Sequence, residues 1–299
     1  MTLSANFTPL IDAATLAAML GQDAPRLLDA RATASAPRVL DARFSLADPQ
    51  SGAAAYAQGH IAGAVHADLN RDLADLSKVG EGRHPLPDSD AFAAQLGRWG
   101  IGPDTPVVVY DAGDGSMAAA RAWWMLRLIG HTRAAVLDGG LAAWQAAGYP
   151  LTTEVPAVPE AQPYPGRFDR DQIASVEEIS ARLKHAPGWL LDARAGERFR
   201  GEVEPLDPVA GHVPGAVNRP FALNVHEGRL RPAADLRAAL QPLIGTHDPQ
   251  QVVLMCGSGV TACHLLLAME VAGLTGARVY PGSWSGWVSD SSRPIATGP

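Results

Sequence analysis

Two cysteines in 299 residues, Cys256 and Cys263, are too few for a disulfide framework, and a structural zinc site would ask for four ligands at recognisable spacing. No stretch reaches the roughly 18 uncharged apolar residues that a membrane-spanning helix requires. Met1 to Leu10 carries no basic and apolar leader pattern. Basic residues are in deficit, 24 Lys and Arg against 31 Asp and Glu, for a formal net charge of −7. That balance gives no electrostatic reason to expect nucleic acid or an anionic membrane as partner. A small anion would have to be drawn by local arginines and backbone N–H groups. The expected location is the reducing cytoplasm.

What is present begins with enough apolar residue, 47%, for a packed protein, and enough length for two domains. The sequence then repeats itself. Arg38-Val39-Leu40-Asp41-Ala42-Arg43 returns as Trp189-Leu190-Leu191-Asp192-Ala193-Arg194, each a buried-strand pattern closed by Asp and Arg. Gly59-His60-Ile61-Ala62-Gly63-Ala64-Val65 returns as Gly211-His212-Val213-Pro214-Gly215-Ala216-Val217. Val107 to Tyr110 runs into Asp111 as Val252 to Met255 runs into Cys256. Small-residue loops and apolar helices follow, Ala118 to Ile129 and Val260 to Ala272, stopped by Gly130 and Gly273. Last, Leu137-Asp138-Gly139-Gly140 with Trp144 matches Tyr280-Pro281-Gly282-Ser283-Trp284 with Trp287.

The prolines of 150–166 mark the boundary, giving a domain over 1–150, a semi-rigid linker over 151–170 and a second domain over 171–299. Ser175-Val176-Glu177-Glu178 is a capping-box start for a helix through Lys184. Strands alternating with helices predict an α/β fold used twice, each copy a mostly parallel sheet flanked by helices. Ligands of such sheets bind beyond the strands' carboxyl ends, where Asp111 and Cys256 fall.

The loop Cys256-Gly257-Ser258-Gly259-Val260-Thr261-Ala262 places a thiol between a buried strand and a helix N-terminus. Its glycines allow the backbone to turn N–H groups of Gly257, Gly259, Val260 and Thr261 onto one point, an anion nest that favours thiolate over thiol and suits a persulfide. The alternative from the loop alone is a small buried hydrophobe, the reading adopted for Cys263.

On these motifs the chain resembles the tandem-domain rhodanese-type sulfurtransferases over nearly its whole length. The N-terminal signature is matched by Tyr56 to Ala64, with Ala62 where proline is usual. The C-terminal one is matched by Tyr280 to Trp287, with Gly286 where an acidic residue is usual. The resemblance implies two rhodanese-like domains, the first non-catalytic with Asp111 in place of the cysteine, the second carrying sulfur as a Cys256 persulfide. Cys-Gly-Ser-Gly-Val-Thr is the form of the 3-mercaptopyruvate branch, where thiosulfate enzymes have two cations after the cysteine. It also implies a Ser–His–Asp arrangement, carried over to Ser258, His60 and Asp48, and a carboxylate-binding Arg198. A second family arginine is missing, because Glu204-Pro205 is followed by Leu206. Arg121, Arg200 and Arg219 are the candidates to stand in for it.

The expected function is transfer of a sulfane sulfur from a small anionic donor, 3-mercaptopyruvate, to cyanide or a thiol such as thioredoxin, without metal or organic cofactor. The alternatives are thiosulfate as donor and a non-catalytic persulfide carrier. Cysteine phosphatase chemistry is disfavoured because Val260-Thr261-Ala262 supplies no arginine to grip phosphate. Trp123, Trp124 and Trp144 read as core or domain-interface residues, with Trp284 and Trp287 beside the pocket.

Overall fold

In the computed structural model, residues 7–21, 36–158 and 162–299 are described. The chain forms two compact units whose boundaries fall at Leu73/Ala74, Pro87/Asp88 and Phe168/Asp169, so that Ala74–Pro87 belongs to the second unit.

In the first unit the strands are β1 (Leu10–Ile11), β2 (Arg38–Asp41), β3 (Ala64–His66), β4 (Val107–Tyr110) and β5 (Ala134–Leu137), in the order β1-β5-β4-β2-β3 with every pairing parallel. Strands β4 and β5 are apolar along their whole length because helices cover both faces of a parallel sheet. These are α1 (Ala13–Met19), α2 (Ser51–Gln58), α3 (Ser89–Arg98), α4 (Ala118–Leu128) and α5 (Gly140–Ala146). Leu16, Val39, Ile61, Val108, Tyr110, Leu137 and Trp144 form one core cluster. Trp123 and Trp124 are also buried.

The second unit contains α6 (Val176–Arg182), β6 (Leu190–Asp192), α7 (Gly196–Phe199), β7 (Val217–Asn218), a hairpin of β8 (Val225–His226) and β9 (Arg229–Leu230), α8 (Ala233–Ile244), β10 (Val253–Met255), α9 (Thr261–Val271), β11 (Arg278–Val279) and α10 (Ser283–Trp287). Its parallel sheet runs β11-β10-β6-β7, the same order as β5-β4-β2-β3. Even the edge repeats: Ile173 bridges to Val279 in parallel as β1 pairs with β5. Ser175 caps α6 by accepting from the Glu178 N–H, though the helix ends at Arg182. Trp284 and Trp287 lie in the core with Trp189, Leu190, Val253 and Met255, and their indole N–H groups donate to the carbonyls of Val209 and Pro294.

The repeated Asp and Arg after the second strand explain themselves. Arg43 forks onto the Asp41 carboxylate (2.6–3.0 Å) and donates to the Gly59 carbonyl. Arg194 does the same to Asp192 (2.6–3.2 Å) and Gly211. Each pair thus ties the end of the strand to the Gly-His turn.

The described part of the proline-rich stretch does not leave the first unit. Thr152 bridges His60, Tyr164 N–H donates to the Ala93 carbonyl, and Phe168 N–H donates to Ser89 Oγ; residues 159–161 lie outside the described residues. Prolines remove their own donors, but the residues between them still pair.

Asp41 is fully buried and also accepts from the Tyr110 hydroxyl at 2.7 Å. Replacing it with Asn leaves the Arg43 charge without a carboxylate, a change that costs about 3–5 kcal/mol for buried pairs. Asp41→Asn is therefore expected to lower the urea midpoint with little change in slope, and an unchanged midpoint contradicts this.

Candidate active site in the second unit

Strand β10 ends at Met255, and the chain turns sharply before α9. Position 259 permits only glycine: its φ is +76°, and a Cβ there would stand 2.4 Å from the Pro281 carbonyl oxygen. The turn is held from behind by the start of α10, where Trp284 and Ser285 N–H groups take the carbonyls of Cys256 and Gly257, both at 2.9 Å. With those carbonyls engaged on one side, the Gly259 N–H is free to face the other and donates to Cys256 Sγ at 3.2 Å. Val260 caps α9 and Thr261 opens it. The thiol is buried, 2% exposed. An N–H aimed at sulfur stabilises negative charge there.

Ser283 supports the same sulfur and is not apparent from sequence. It adopts a left-handed conformation, φ +50°, uncommon for a residue with a side chain. There its hydroxyl accepts from the Cys256 N–H at 3.0 Å and donates to the Tyr280 carbonyl at 2.9 Å, 4.0 Å from Sγ. Cys263, in the first turn of α9, donates to the Gly259 carbonyl and is fully buried, a packing role.

The imidazole that meets Ser258 is His84, not His60. His84 Nδ1 lies 2.8 Å from Ser258 Oγ, and both residues are buried. His60 sits in the first unit with Nδ1 2.8 Å from the Tyr56 carbonyl and Nε2 3.1 Å from that of Glu154, stacked on Tyr56 at 3.9 Å. Its counterpart His212 repeats the arrangement, Nδ1 2.8 Å from the Phe199 carbonyl and stacked on Phe199 at 3.8 Å. The repeated histidine therefore anchors a turn in each unit. Asp48 is exposed, and its carboxylate accepts from the Gln50 N–H beside the start of α2. Neither residue has the relay geometry that the family arrangement implied.

His84 belongs to the Ala74–Pro87 segment, which has no counterpart in the sequence repeat. The segment is fixed to α10 by the Arg83 N–H donating to Ser285 Oγ (3.0 Å) and, just beyond that helix, by Ser289 Oγ donating to the Gly80 carbonyl (2.9 Å). Glu81 and Gly82 lie 3.4 Å from where a Cβ at Gly286 would be. The available sequence signal was Arg-His set between Gly82 and Pro85 in an unrepeated insertion, adjacent to no strand end.

Arg198 lies beside Gly257. A Cβ built on Gly257 would lie 3.5 Å from its Nη1 and Nη2, and 2.9 Å from Nη2 of Arg83. Glu204 accepts from Arg198 Nε and Nη2 (2.6–3.2 Å), and Asp207 receives Arg198 Nη2 at 3.2 Å and pairs with Arg83 through its other oxygen. Burial resists ionisation of Glu204, but donors from Arg198 and the N–H groups of Leu206 and Asp207 prevail and hold its carboxyl below the usual range. Leu206 is 44% exposed. Arg200 pairs with Glu202 on the surface, Arg219 with Asn224, and Arg121 lies over Trp124 in the first unit; none of them is the second cation at Gly257.

The corresponding loop of the first unit is closed on itself. Asp111 accepts from the N–H groups of Gly113, Gly115 and Met117 (3.0–3.3 Å), so a carboxylate occupies the nest that a charged sulfur would use. Burial raises its pKa to about 6 against the pull of those N–H groups.

Comparison with known proteins fits this layout. The rhodanese-like domain description matches residues 12–147 and 175–290. The chain is 45% identical over 292 residues, 97% of it and 98% of the relative, to a probable 3-mercaptopyruvate sulfurtransferase of Pseudomonas aeruginosa. It is 41% identical over 258 residues, 84% of it and 88% of the relative, to a putative thiosulfate sulfurtransferase of Mycobacterium tuberculosis. Among solved structures, SseA of Escherichia coli, described as a 3-mercaptopyruvate sulfotransferase of rhodanese fold, aligns with a TM-score of 0.76 at 31% identity over 93% of this chain and 99% of that one.

Because the Asp111 carboxyl is raised above its unfolded value of 3.8, the folded protein binds the extra proton between about pH 4 and 6. This contribution to stability is present at low pH and lost as pH rises through 6. Asp111→Asn removes that dependence. Relative to the native chain its unfolding free energy is expected to gain roughly 3 kcal/mol on going from pH 4 to pH 7. Parallel pH profiles for the two proteins contradict the assignment.

Proposed function

The chain is a sulfurtransferase of the rhodanese-like domain family, and from that premise we propose that it moves sulfur from 3-mercaptopyruvate to a thiophilic acceptor through a persulfide on Cys256. The observation that carries this reading is a buried thiol with an N–H on its sulfur, in a loop whose next polar side chain, Ser258, meets a histidine. The Cys256 thiolate attacks the donor sulfur, and the C–S bond breaks with its electron pair moving into the carbonyl to give the enolate of pyruvate. The Ser258 hydroxyl, oriented by His84, donates to the developing enolate oxygen and passes on the proton needed to complete pyruvate. The acceptor thiolate then attacks the outer sulfur and returns Cys256 to its starting form. Cyanide serves in an assay and a thiol such as reduced thioredoxin in the cell.

The carrier is the protein's own sulfur, so the cycle calls for no metal or organic cofactor. Thiosulfate is the second donor to consider. Two guanidiniums beside Gly257 also suit an inorganic dianion, and the M. tuberculosis relative bears that name. A persulfide carrier that only receives sulfur from a partner has no use for the Ser258–His84 pair.

Product release separates these readings. The native chain is expected to release pyruvate from 3-mercaptopyruvate, and Cys256→Ser to release neither pyruvate nor sulfite from either donor. His84→Ala should lower kcat at least about a hundredfold, the usual contribution of a positioned acid or base. His60→Ala should reduce thermal stability and leave kcat within a few fold. Full activity in Cys256→Ser, or a larger kcat loss for His60→Ala than for His84→Ala, overturns the assignment.

A further inference from the structure

We propose that a cleft behind the reactive loop binds a small α-amino acid with an apolar side chain, and that its occupancy promotes sulfur transfer by bracing the segment that carries His84. The cleft lies wholly within the second unit, encloses about 250 Å³ and takes no part in the chemistry described above. Binding there is independent of the sulfur donor, whereas the regulatory half rests on 3-mercaptopyruvate as donor.

Size and lining select the ligand. Pockets for drug-sized molecules begin near roughly 300 Å³, so this one suits a smaller metabolite. Glu177, in the first turn of α6, Tyr280 and Arg293 line it. The Glu177 carboxylate is held by its own N–H and by Ser175, which keep its carboxyl below the usual range and therefore charged. Arg293 is anchored over Trp287, with Nη1 donating to the carbonyls of Gly286 (2.7 Å) and Trp287 (3.1 Å) and Nε 3.6 Å from Asp290; its Nη2 makes no hydrogen bond among the described residues. Glu177 and Arg293 thus feel each other's charge but form no salt bridge. Tyr280 is 5% exposed, burial pushes its hydroxyl up to about 12, and this protonated hydroxyl also has no hydrogen-bond partner among the described residues. A nearly buried hydroxyl left unpaired is costly until a ligand completes it.

A fixed carboxylate and a fixed guanidinium held apart in one cleft match the ammonium and carboxylate of an α-amino acid. Glu81 lines the cleft too, so acids outnumber the cation and a plain anion is disfavoured. Val176, Leu86 and Pro281 give the side chain an apolar wall.

The cleft touches both pieces that set the reaction geometry. Glu81 and Leu86 belong to the Ala74–Pro87 segment, whose His84 meets Ser258 at 2.8 Å. Pro281 and Gly282 back the reactive loop: a Cβ at Gly259 would stand 2.4 Å from the Pro281 carbonyl oxygen, and one at Gly82 would stand 2.6 Å from that of Gly282. The Tyr280 ring folds over Gly282, where a Cβ would stand 2.9 Å from its hydroxyl. Backbone packed this closely passes displacement on because no side chain lies between to absorb it. A ligand seated on Glu177, Tyr280 and Arg293 and packed on Leu86 therefore ties the segment to the backing of the loop, favouring the arrangement in which His84 reaches Ser258.

Calorimetry of the full-length chain with L-methionine, N-acetyl-L-methionine and L-methioninol tests the site. The first has a thioether that neither gives nor accepts sulfane sulfur, the second lacks the ammonium and the third lacks the carboxylate. L-methionine is expected to bind once per chain, and each analogue at least about tenfold more weakly, the effect of losing a charge-assisted hydrogen bond. Glu177→Gln should weaken L-methionine by a similar factor and leave kcat without the amino acid unchanged, and Tyr280→Phe should also weaken it. Saturating L-methionine should raise kcat/KM for 3-mercaptopyruvate at least about fivefold in the native chain, the low end of allosteric couplings, and leave Glu177→Gln unaffected. Absence of L-methionine binding, or equal binding by the analogues or by Glu177→Gln, overturns the site. Binding with unchanged kcat/KM overturns the regulation. If the native chain does not turn over 3-mercaptopyruvate, the donor reading falls, and calorimetry still decides the site.

Discussion

The site depends on the direction in which three peptide groups of one loop face. The carbonyls of Cys256 and Gly257 are taken by the first N–H groups of α10, which leaves the Gly259 N–H aimed at Sγ. Without that anchor the loop has no reason to present donors to the thiol, and a buried cysteine would be another apolar side chain. The buried α10, with Trp284 and Trp287 in the core, is thus the rigid backing of the reactive loop. Ser283, strained between Tyr280 and Cys256, joins the two. Strain of this kind persists only where the surroundings over-determine it, here through packing on both sides.

The duplicated architecture gives an internal control. Both units use the same strand order, the same Asp–Arg fork and the same stacked histidine, and they differ at the residue following the fourth strand of the repeat. Asp111 satisfies its loop's N–H groups with its own carboxylate, while Cys256 places sulfur in the corresponding position. One loop turns its N–H groups onto a carboxylate and the other turns an N–H onto a thiol. The second unit thus places a thiol where the first places a carboxylate, within a shared strand order but in a loop of different sequence and length.

The insertion is also where sequence reading lost its grip. Strands, parallel sheets, helix stops at Gly130 and Gly273, the Ser175 cap and the reactive loop are all legible because they come from local periodicity and turn chemistry. The family resemblance implied His60 as the partner of Ser258, but the His60 motif is repeated at His212, and repetition in both units points to a turn anchor. His84 and Arg83 lie in a stretch with no periodicity and no counterpart. Their roles arise only when a distant segment of chain is packed against α10, a non-local event that neither spacing nor propensity reports.

The central claim is that Cys256 itself carries the sulfur. It is tested most directly by incubating the native chain with 3-mercaptopyruvate in the absence of acceptor, then measuring pyruvate and the mass of the Cys256 peptide. The account predicts one pyruvate per chain and one added sulfur atom on Cys256, removed when a thiol is supplied. Pyruvate accumulating with Cys256 unmodified, or the added sulfur residing on Cys263, would contradict it.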